Sequence, residues 1–393
     1  MAKVRGRVID RIQAGWRCFS RCFSRYFGQE TRSAFRSPVF HWLSWCFPLL
    51  LFILISSNFS EGTLLDLPVS VVDNDHSPLS RSLIRKLDAG SHAHVVVYEG
   101  GLDEALRRLR SAQDYALLYI PTDFEADALA GRQPSIVLYY NALFYGAGLY
   151  STQDFSGLIT EANTTFRTII AGEMGETLPP LANVTLSYGS LFNASGSYIY
   201  YQQFAATIHL LQLFVITWMI YVLARSKALL TAKPFSLALL GKLAPYTLFF
   251  TTLLMVEIAM LVGFFGARVS GNPLFMPLIG FFYVMAAQSI GVLLFTFTSS
   301  AITAYSLIGI IVSIALTFSG MAVPELSMPL PARIISNIEP LTHALYAMFD
   351  VFLRQVPASA IFSVCAILLV YPLVISLLVR NRLLIRLQKQ ETI

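Results

Sequence analysis

Apolar residues are concentrated in six long runs that polar segments separate. Each run is close to the roughly 20 residues that a helix needs to cross the apolar part of a bilayer. We therefore predict membrane helices at 39–59, 204–224, 243–265, 274–297, 302–323 and 357–379. The first run starts too late and is too long for a cleaved signal peptide, so we expect it to stay as an anchor.

The segment 60–203, between the first two runs, alternates apolar and amphipathic stretches. The stretches LPVSVVD, HAHVVVY, DYALLYI and PSIVLYY predict strands, and SPLSRSLIRKL, LDEALRRLR and DFEADALAG predict helices between them. Ser77 and Pro78 suit the cap and first position of the first of these helices. The predicted fold class is an α-helical polytopic membrane protein with six transmembrane helices and an inserted α/β domain.

Composition supports a membrane protein. The chain is 55% hydrophobic and 13% charged, whereas soluble domains carry about 25% charged residues. No cysteine lies in 60–203, which excludes a disulfide framework there. We interpret the acidic DNDH stretch at 73–76 as a turn after a strand, and we predict no metal site.

The charges predict an orientation. Residues 1–38 hold nine Lys and Arg against two acids, whereas 60–203 hold sixteen acids and eight bases. The loop 225–242 and the tail 380–393 are also basic. Basic segments stay on the cytoplasmic side, and six alternating helices place all three there. We predict a multi-pass protein of a plasma membrane, with cytoplasmic termini, an extracytoplasmic 60–203 domain, and a bacterial inner membrane as its location.

The lead-in segment 1–38 reads as an amphipathic interfacial helix. Aromatic and aliphatic residues recur at three- and four-residue steps, which places them on one helical face. Arg11, Arg21 and Arg25 are among the arginines outside that face. Such a helix lies in the membrane interface. It serves as an anchor, or as a lever that docks on a cytoplasmic partner; the pattern leaves both open.

Several polar residues lie inside the apolar runs, where they are costly and often functional. The candidate substrate-pathway residues are Glu257, His209, Gln212, Gln288 and Tyr305. The uncharged ones also suit hydrogen bonds between helices. Glu257 suits contact with a substrate or proton, or a structural bond to another helix.

A proline-rich segment, 324–356, follows the fifth run. Its prolines interrupt a continuous helix, so we predict two short pieces that enter the outer leaflet and return. Irregular backbone at that depth must be covered by protein. We interpret this re-entrant segment as an outer gate, with Pro324, Met328, Pro329, Pro340 and His343 as its candidate residues.

The stretch GKLAPY at 241–246 contains the Gly-Lys pair of a phosphate-binding loop. That loop requires a further glycine before the pair and a Ser or Thr after it. Ser236 and Leu243 occupy those positions, and an apolar run follows. We therefore predict no ATP site in this chain, and we interpret Lys242 as a boundary residue that reaches the headgroups.

Four stretches together resemble the permease subunit of type-2 ABC exporters, in the six-helix subclass with a large outer domain. They are VSVVDNDHSPLSRSLIRKL, LFNASGSYIYY, ALLGKLAPY and SGMAVPELSMPLPARIISNIEPLTHAL, in family order over nearly the whole chain. The resemblance implies a dimer of permeases, each with an ABC ATPase that binds ATP and Mg²⁺; the chain itself is then no enzyme. Relatives export lipids, drugs, peptides and glycans, so the resemblance leaves the substrate open. The 29 Phe and 18 Tyr residues favour a hydrophobic or amphiphilic cargo such as a drug or lipid. A periplasmic adaptor is compatible with this assembly, and no nucleic acid is expected as a partner.

The resemblance also implies which residues meet the ATPase. They lie on the lead-in helix and in the loop after the second run: Arg11, Arg21, Arg25, Arg225, Lys227, Lys233, Pro234, Gly241 and Lys242. That loop is shorter than in the family and lacks its usual acid and Gly-Thr. A homodimer and a pairing with a second permease both fit. The alternative is a membrane-anchored receptor without transport activity, which explains 60–203 but not five further helices.

Overall fold

The computed structural model describes residues 22–59, 62–130, 132, 134–141, 145–174, 197–321 and 323–389. The chain divides into two compact units. One comprises Met1–Ser60 with Leu191–Ile393, and the other comprises Glu61–Ser190. We call them the helical unit and the inserted domain.

The described part of the helical unit contains six helices long and apolar enough to cross a membrane. We number them membrane helices 1 to 6 in chain order: Pro38–Ser57, Phe204–Ala224, Phe235–Phe264, Phe275–Phe297, Ala301–Phe318 and Ala358–Lys389. The six-helix prediction is confirmed. Membrane helix 1 contains one π-helical turn, Trp42–Cys46, and a second such turn, Ile199–Gln203, precedes membrane helix 2.

Two of these helices are longer than their apolar runs. Membrane helix 3 begins at Phe235, eight residues before the predicted start, and membrane helix 6 continues ten residues past the predicted end. The extension of helix 6 is supported by packing, because Leu383 and Leu387 are fully buried. Most of the predicted 380–393 tail is therefore helix; residues 390–393 lie outside the described residues.

The core of the helical unit is formed mainly by membrane helices 2 and 4. Helix 4 packs against helices 2, 3 and 6. Large side chains fill the contacts, and Trp218, Tyr283 and Phe250 are at most 2% exposed. Helices 5 and 6 instead leave long apolar faces uncovered.

The proline-rich segment forms the two short pieces that the sequence predicts. A 3-10 turn, Glu325–Ser327, precedes two helices, Leu330–Ile338 and Pro340–Leu353. We call these the first and second half-helices. The second packs against membrane helices 2, 4 and 6, and most of its side chains are buried. The first keeps an exposed apolar face that includes Leu330 and Ile338.

The inserted domain alternates strands and helices as predicted. Its elements are β1 Leu67–Asp73, α1 Pro78–Asp88, β2 Ala93–Val97, α2 Leu102–Arg110, β3 Ala116–Ile120, α3 Phe124–Leu129, β4 Val137–Tyr140 and α4 Tyr145–Met174. The Ser77 hydroxyl caps α1 by accepting a hydrogen bond from the backbone N–H of Ser80 at 3.0 Å, and Pro78 opens the helix. The capping prediction is confirmed.

The four strands form one mixed sheet in the order β2-β1-β3-β4. Strand β1 is parallel to β2 and β3, and β4 is antiparallel to β3. The central strands are almost fully buried, as parallel strands covered on both faces usually are. The DNDH stretch is a turn: the Asp73 carboxylate accepts from the N–H groups of Asp75 and His76, both at 3.1 Å.

Candidate functional site

A small pocket lies between membrane helices 1, 2 and 3. It is lined by Glu257, Gln203 and Thr207 together with apolar side chains such as Phe52 and Phe214. Its free volume is about 10 Å³, which is close to the room that one water molecule needs. The pocket lies near the end of helix 1 and the start of helix 2. Its Glu257 is seven residues before the end of helix 3.

Glu257 is the most unusual side chain in this pocket. It is 4% exposed, and its Oε2 atom has no hydrogen-bond partner among the described residues. Gln203 is 1% exposed; its Nε2 donates to the Ser56 hydroxyl at 2.6 Å, but its Oε1 also has no partner there. Buried polar atoms are normally satisfied. Two unsatisfied acceptors in one pocket therefore indicate a place for a hydrogen-bond donor.

The other four candidate pathway residues lie elsewhere. His209 Nε2 is 2.8 Å from the carbonyl oxygen of Val312 on membrane helix 5. Gln288 accepts from the Thr247 hydroxyl at 2.8 Å, which joins helices 4 and 3. Tyr305 is on the surface of helix 5, with 36% of it exposed. In this conformation, His209 and Gln288 make the helix–helix bonds that the sequence left open as their alternative.

Gln212 belongs to a buried polar network that reaches the half-helices. Its Nε2 donates to Glu339 Oε1 at 2.7 Å, and its Oε1 lies 3.2 Å from the Tyr283 hydroxyl. Glu339 is 9% exposed and lies between the two half-helices. This network fixes the junction of the half-helices to the centre of the bundle. Glu339 had no role in the sequence prediction.

The candidate gate residues shape the turns around the half-helices. Pro324 precedes the 3-10 turn, Pro329 caps the first half-helix, and Pro340 opens the second. Met328 is buried at 6% exposure. His343 Nε2 lies 2.9 Å from the Asn337 carbonyl oxygen, across the junction. These residues thus hold the two half-helices in one arrangement.

At the other end of the bundle, the lead-in helix packs against the start of membrane helix 3. Residues 22–36 are helical. A Cβ atom at Gly241 would lie 2.9 Å from the backbone oxygen of Phe23, so only glycine allows this approach. The apolar face of the lead-in helix is therefore covered in part by protein.

A partly buried ion pair joins the same two helices. Lys242 binds Glu30 of the lead-in helix, and the two side chains are 14% and 15% exposed. The Tyr246 hydroxyl also donates to Glu30, at 2.6 Å. Lys242 thus pairs with a carboxylate inside the protein, where we had expected it to reach the headgroups. The role of Glu30 was missed, since its partners are more than 200 positions away in the sequence.

The short loop before membrane helix 3 presents basic residues. It contains a 3-10 turn, Lys227–Thr231, held by the buried Leu229. Arg225, Lys233 and Pro234 are exposed, as is Arg25 on the lead-in helix. The Arg225 guanidinium stacks over the Tyr221 ring at 4.1 Å. Arg11 and Arg21 lie outside the described residues. The described residues of the basic loop and the lead-in helix therefore form a positively charged surface.

Neither a metal nor a phosphate site emerges from the described residues. No group of three His, Cys, Asp or Glu side chains there could hold a metal ion. Gly241 and Lys242 lie within a helix, not in the loop that cradles phosphates. His92 contacts Asp154, with Nδ1 at 2.9 Å from Oδ1.

Comparison with known protein families identifies a family for this chain. The sequence profile described as ABC-2 family transporter protein matches residues 38–380. Comparison with curated protein sequences gave no match. The match covers all six membrane helices as far as residue 380, the inserted domain and the half-helices. The chain therefore belongs to the ABC-2 transporter family and is a multi-pass membrane component of a transporter, a permease.

Proposed function

We propose that the chain is the permease subunit of an ATP-binding cassette exporter, driven by ATP hydrolysis in a separate ATPase subunit. The observation that carries this proposal is the attachment of the lead-in helix to membrane helix 3 beside the basic loop. The Glu30–Lys242 pair and the close approach at Gly241 join the lead-in helix to membrane helix 3. An ATPase that docks on the lead-in helix and the basic loop can therefore transmit its movement to a membrane helix.

The proposal includes an orientation and an assembly. The basic loop and lead-in helix face the cytoplasm of a bacterial cell, and the inserted domain faces outward. The chain pairs with a second permease, either a copy of itself or a different one. Its cargo is a hydrophobic or amphiphilic molecule, and ATP and Mg²⁺ bind in the ATPase.

The first test is purification of the tagged chain from its own membranes in a mild detergent, with mass spectrometry of the proteins that accompany it. We expect an ABC ATPase, and a second permease as well if the assembly is heteromeric. Reversing the charge of exposed loop residues, in Arg225→Glu and Lys233→Glu, should remove the ATPase from the complex. Arg268→Glu is the matched control, since Arg268 is exposed beyond the opposite end of membrane helix 3.

An intact, well-expressed chain that repeatedly purifies without an ATPase would contradict the proposal. A membrane-anchored receptor, with the inserted domain as its binding module, would then be the better interpretation.

A further inference from the structure

We propose that the pocket between membrane helices 1, 2 and 3 binds the primary ammonium group of an amphiphile. Glu257 and Gln203 present unsatisfied acceptor atoms to this pocket. This inference adds a chemical class of ligand to the proposed function. It rests on the proposed function only for the statement that the ligand is cargo, because binding requires the permease alone.

The acceptors determine the chemistry of the ligand. An ionised carboxylate only accepts hydrogen bonds, and the Gln203 Oε1 atom only accepts as well. The amide nitrogen of Gln203 is already engaged with Ser56. A lone carboxylate in a membrane interior is costly, and a positive partner that also donates hydrogen bonds offsets much of that cost. A primary ammonium brings a positive charge and three N–H donors.

The size of the pocket selects among cationic groups. A free volume of about 10 Å³ admits a group the size of a water molecule. An –NH₃⁺ group is of that size, whereas a trimethylammonium group is several times larger and has no N–H to donate. The pocket therefore favours primary amines over quaternary ones.

The remaining lining suits an alkyl chain. Phe52, Phe214 and Leu253 are buried around the polar atoms, and Ile55 and Leu210 at the rim are half-buried. A chain attached to the ammonium can leave the pocket between membrane helices 1 and 2 along this apolar rim. The ligand is therefore an amphiphile with its charged group inside the bundle.

The test is equilibrium binding of tritiated dodecylamine to the purified full chain in phosphatidylcholine nanodiscs, which contain no primary amine. Unlabelled dodecylamine should displace the label, and dodecanol and dodecyltrimethylammonium should be far weaker competitors. Dilauroylphosphatidylethanolamine separates two sources of the same chemistry. If dilauroylphosphatidylethanolamine displaces the label, the ligand is a lipid headgroup. If it does not, while dodecylamine does, the ligand is a single-chain amine. Either result supports binding of a primary ammonium group in the pocket.

Two variants locate the binding. Glu257→Gln and Gln203→Leu should each weaken dodecylamine binding about tenfold to a hundredfold, the factor that a hydrogen bond to a charged group is worth. Gln202→Leu is the matched control, because Gln202 is the exposed neighbour of Gln203. Size-exclusion profiles show whether each variant is folded. The competition experiments use the unmodified chain and therefore test the proposal even if a variant does not fold.

Three results would overturn the proposal: no saturable binding of dodecylamine, equal displacement by dodecanol or dodecyltrimethylammonium, or equal binding by a folded Glu257→Gln chain. Failure of the proposed function is a separate result, because it is measured by the absence of an ATPase in the purified complex. An amine-binding chain without an ATPase would be a receptor for the same ligand.

Discussion

At the scale of single residues, the Glu30–Lys242 pair is the clearest stability determinant of the basic end. Removing one partner costs roughly 3–5 kcal/mol for a fully buried ion pair and about 0–1 kcal/mol for an exposed one. Lys242→Met should therefore lower the thermal stability of the detergent-solubilised chain by an amount between these limits, because the Lys242 and Glu30 side chains are 14% and 15% exposed.

The matched control for this pair is Arg25→Met, since Arg25 is an exposed cation on the same lead-in helix. It should leave the melting temperature almost unchanged. Adding Glu30→Gln to Lys242→Met should recover part of the loss, because the unpaired charge is then absent. Strictly additive losses in this double-mutant cycle would show that the two side chains do not interact.

Gly320 is a second residue whose identity the structure explains. It follows membrane helix 5 with φ of +85°, and a Cβ atom there would lie 2.0 Å from the Tyr346 hydroxyl oxygen. The positive φ strains any side chain at this position, and a side chain would also require the Tyr346 ring to move. Gly320→Ala should destabilise the chain by about 1–3 kcal/mol, measured as a lower melting temperature.

Gly309, also in membrane helix 5, provides the comparison. Nothing lies within 4 Å of a Cβ atom there. Gly309→Ala should be neutral or slightly stabilising, because alanine loses less backbone entropy in a helix than glycine. Equal effects of the two substitutions would remove the special role of Gly320.

At the scale of elements, the sheet of the inserted domain depends on one buried carboxylate. Asp114 is 1% exposed, and it accepts from Arg108 Nε at 2.8 Å and from the Ser70 hydroxyl on β1. Burial alone would raise the pKa of Asp114, but the bonds from Arg108 and Ser70 and the Arg108 charge outweigh burial and lower the pKa. The carboxylate form is therefore the one that the fold stabilises.

This lowered pKa has a consequence for stability against pH. The contribution of Asp114 is fully present above the pKa of an unfolded Asp, about 3.9, and is lost as the pH falls through the lower, folded pKa. Asp114→Asn should speed hydrogen exchange at the amides of β1 and β3 at pH 7. The difference from the unmodified chain should shrink as the pH falls below the pKa of an unfolded Asp and through the lower pKa of folded Asp114, because the carboxylate is then lost from the unmodified chain as well.

The comparison must be made at the same pH for both chains, since exchange chemistry itself depends on pH. A difference that stayed constant as the pH fell from 7 through the lowered pKa of Asp114 would mean that the asparagine acts through packing and not through charge. Ser111→Ala is a useful control, because Ser111 is exposed and its hydroxyl donates to the backbone carbonyl oxygen of Arg108 near the end of α2.

The elements show where sequence patterns succeed and where they fail. The strands and helices of the inserted domain are predictable because their alternation, and a cap such as Ser77, are local signals. The start of membrane helix 3 is not, because the residues before the apolar run face the lead-in helix and the basic loop instead of lipid. A hydropathy pattern identifies the part of a helix that faces lipid. It misses helical turns that other parts of the protein cover, because those turns need not be apolar.

The residues of the candidate site also fall into those that the sequence reveals and those that only the structure reveals. Glu257 could be found from the sequence, since a carboxylate in an apolar run is conspicuous. Gln203 and Glu30 could not be found from the sequence, because the role of each depends on a contact between distant parts of the chain. Gln212 was found, but its partner Glu339 was not, so the bond that joins the bundle to the half-helices appears only in the structure.

At the scale of the whole molecule, the strongest prediction is the orientation that the basic and acidic segments imply. Lys233 lies in the basic loop, and His94 lies on β2 of the inserted domain; both side chains are exposed. We expect cysteines at these two positions to face opposite sides of the membrane. Each is introduced singly, as Lys233→Cys or His94→Cys, into a chain whose four natural cysteines are replaced by serine or alanine.

A membrane-impermeant maleimide applied to spheroplasts should label His94→Cys, whereas Lys233→Cys should react only after the membrane is permeabilised. The positive-inside rule requires this result, because the loop 225–242 carries four basic residues and no acid. Labelling of both cysteines in sealed spheroplasts would contradict the single crossing, by membrane helix 2, that separates the two positions. The reverse pattern would place the basic surface outside, where a cytoplasmic ATPase could not reach it, and would refute the exporter mechanism proposed here.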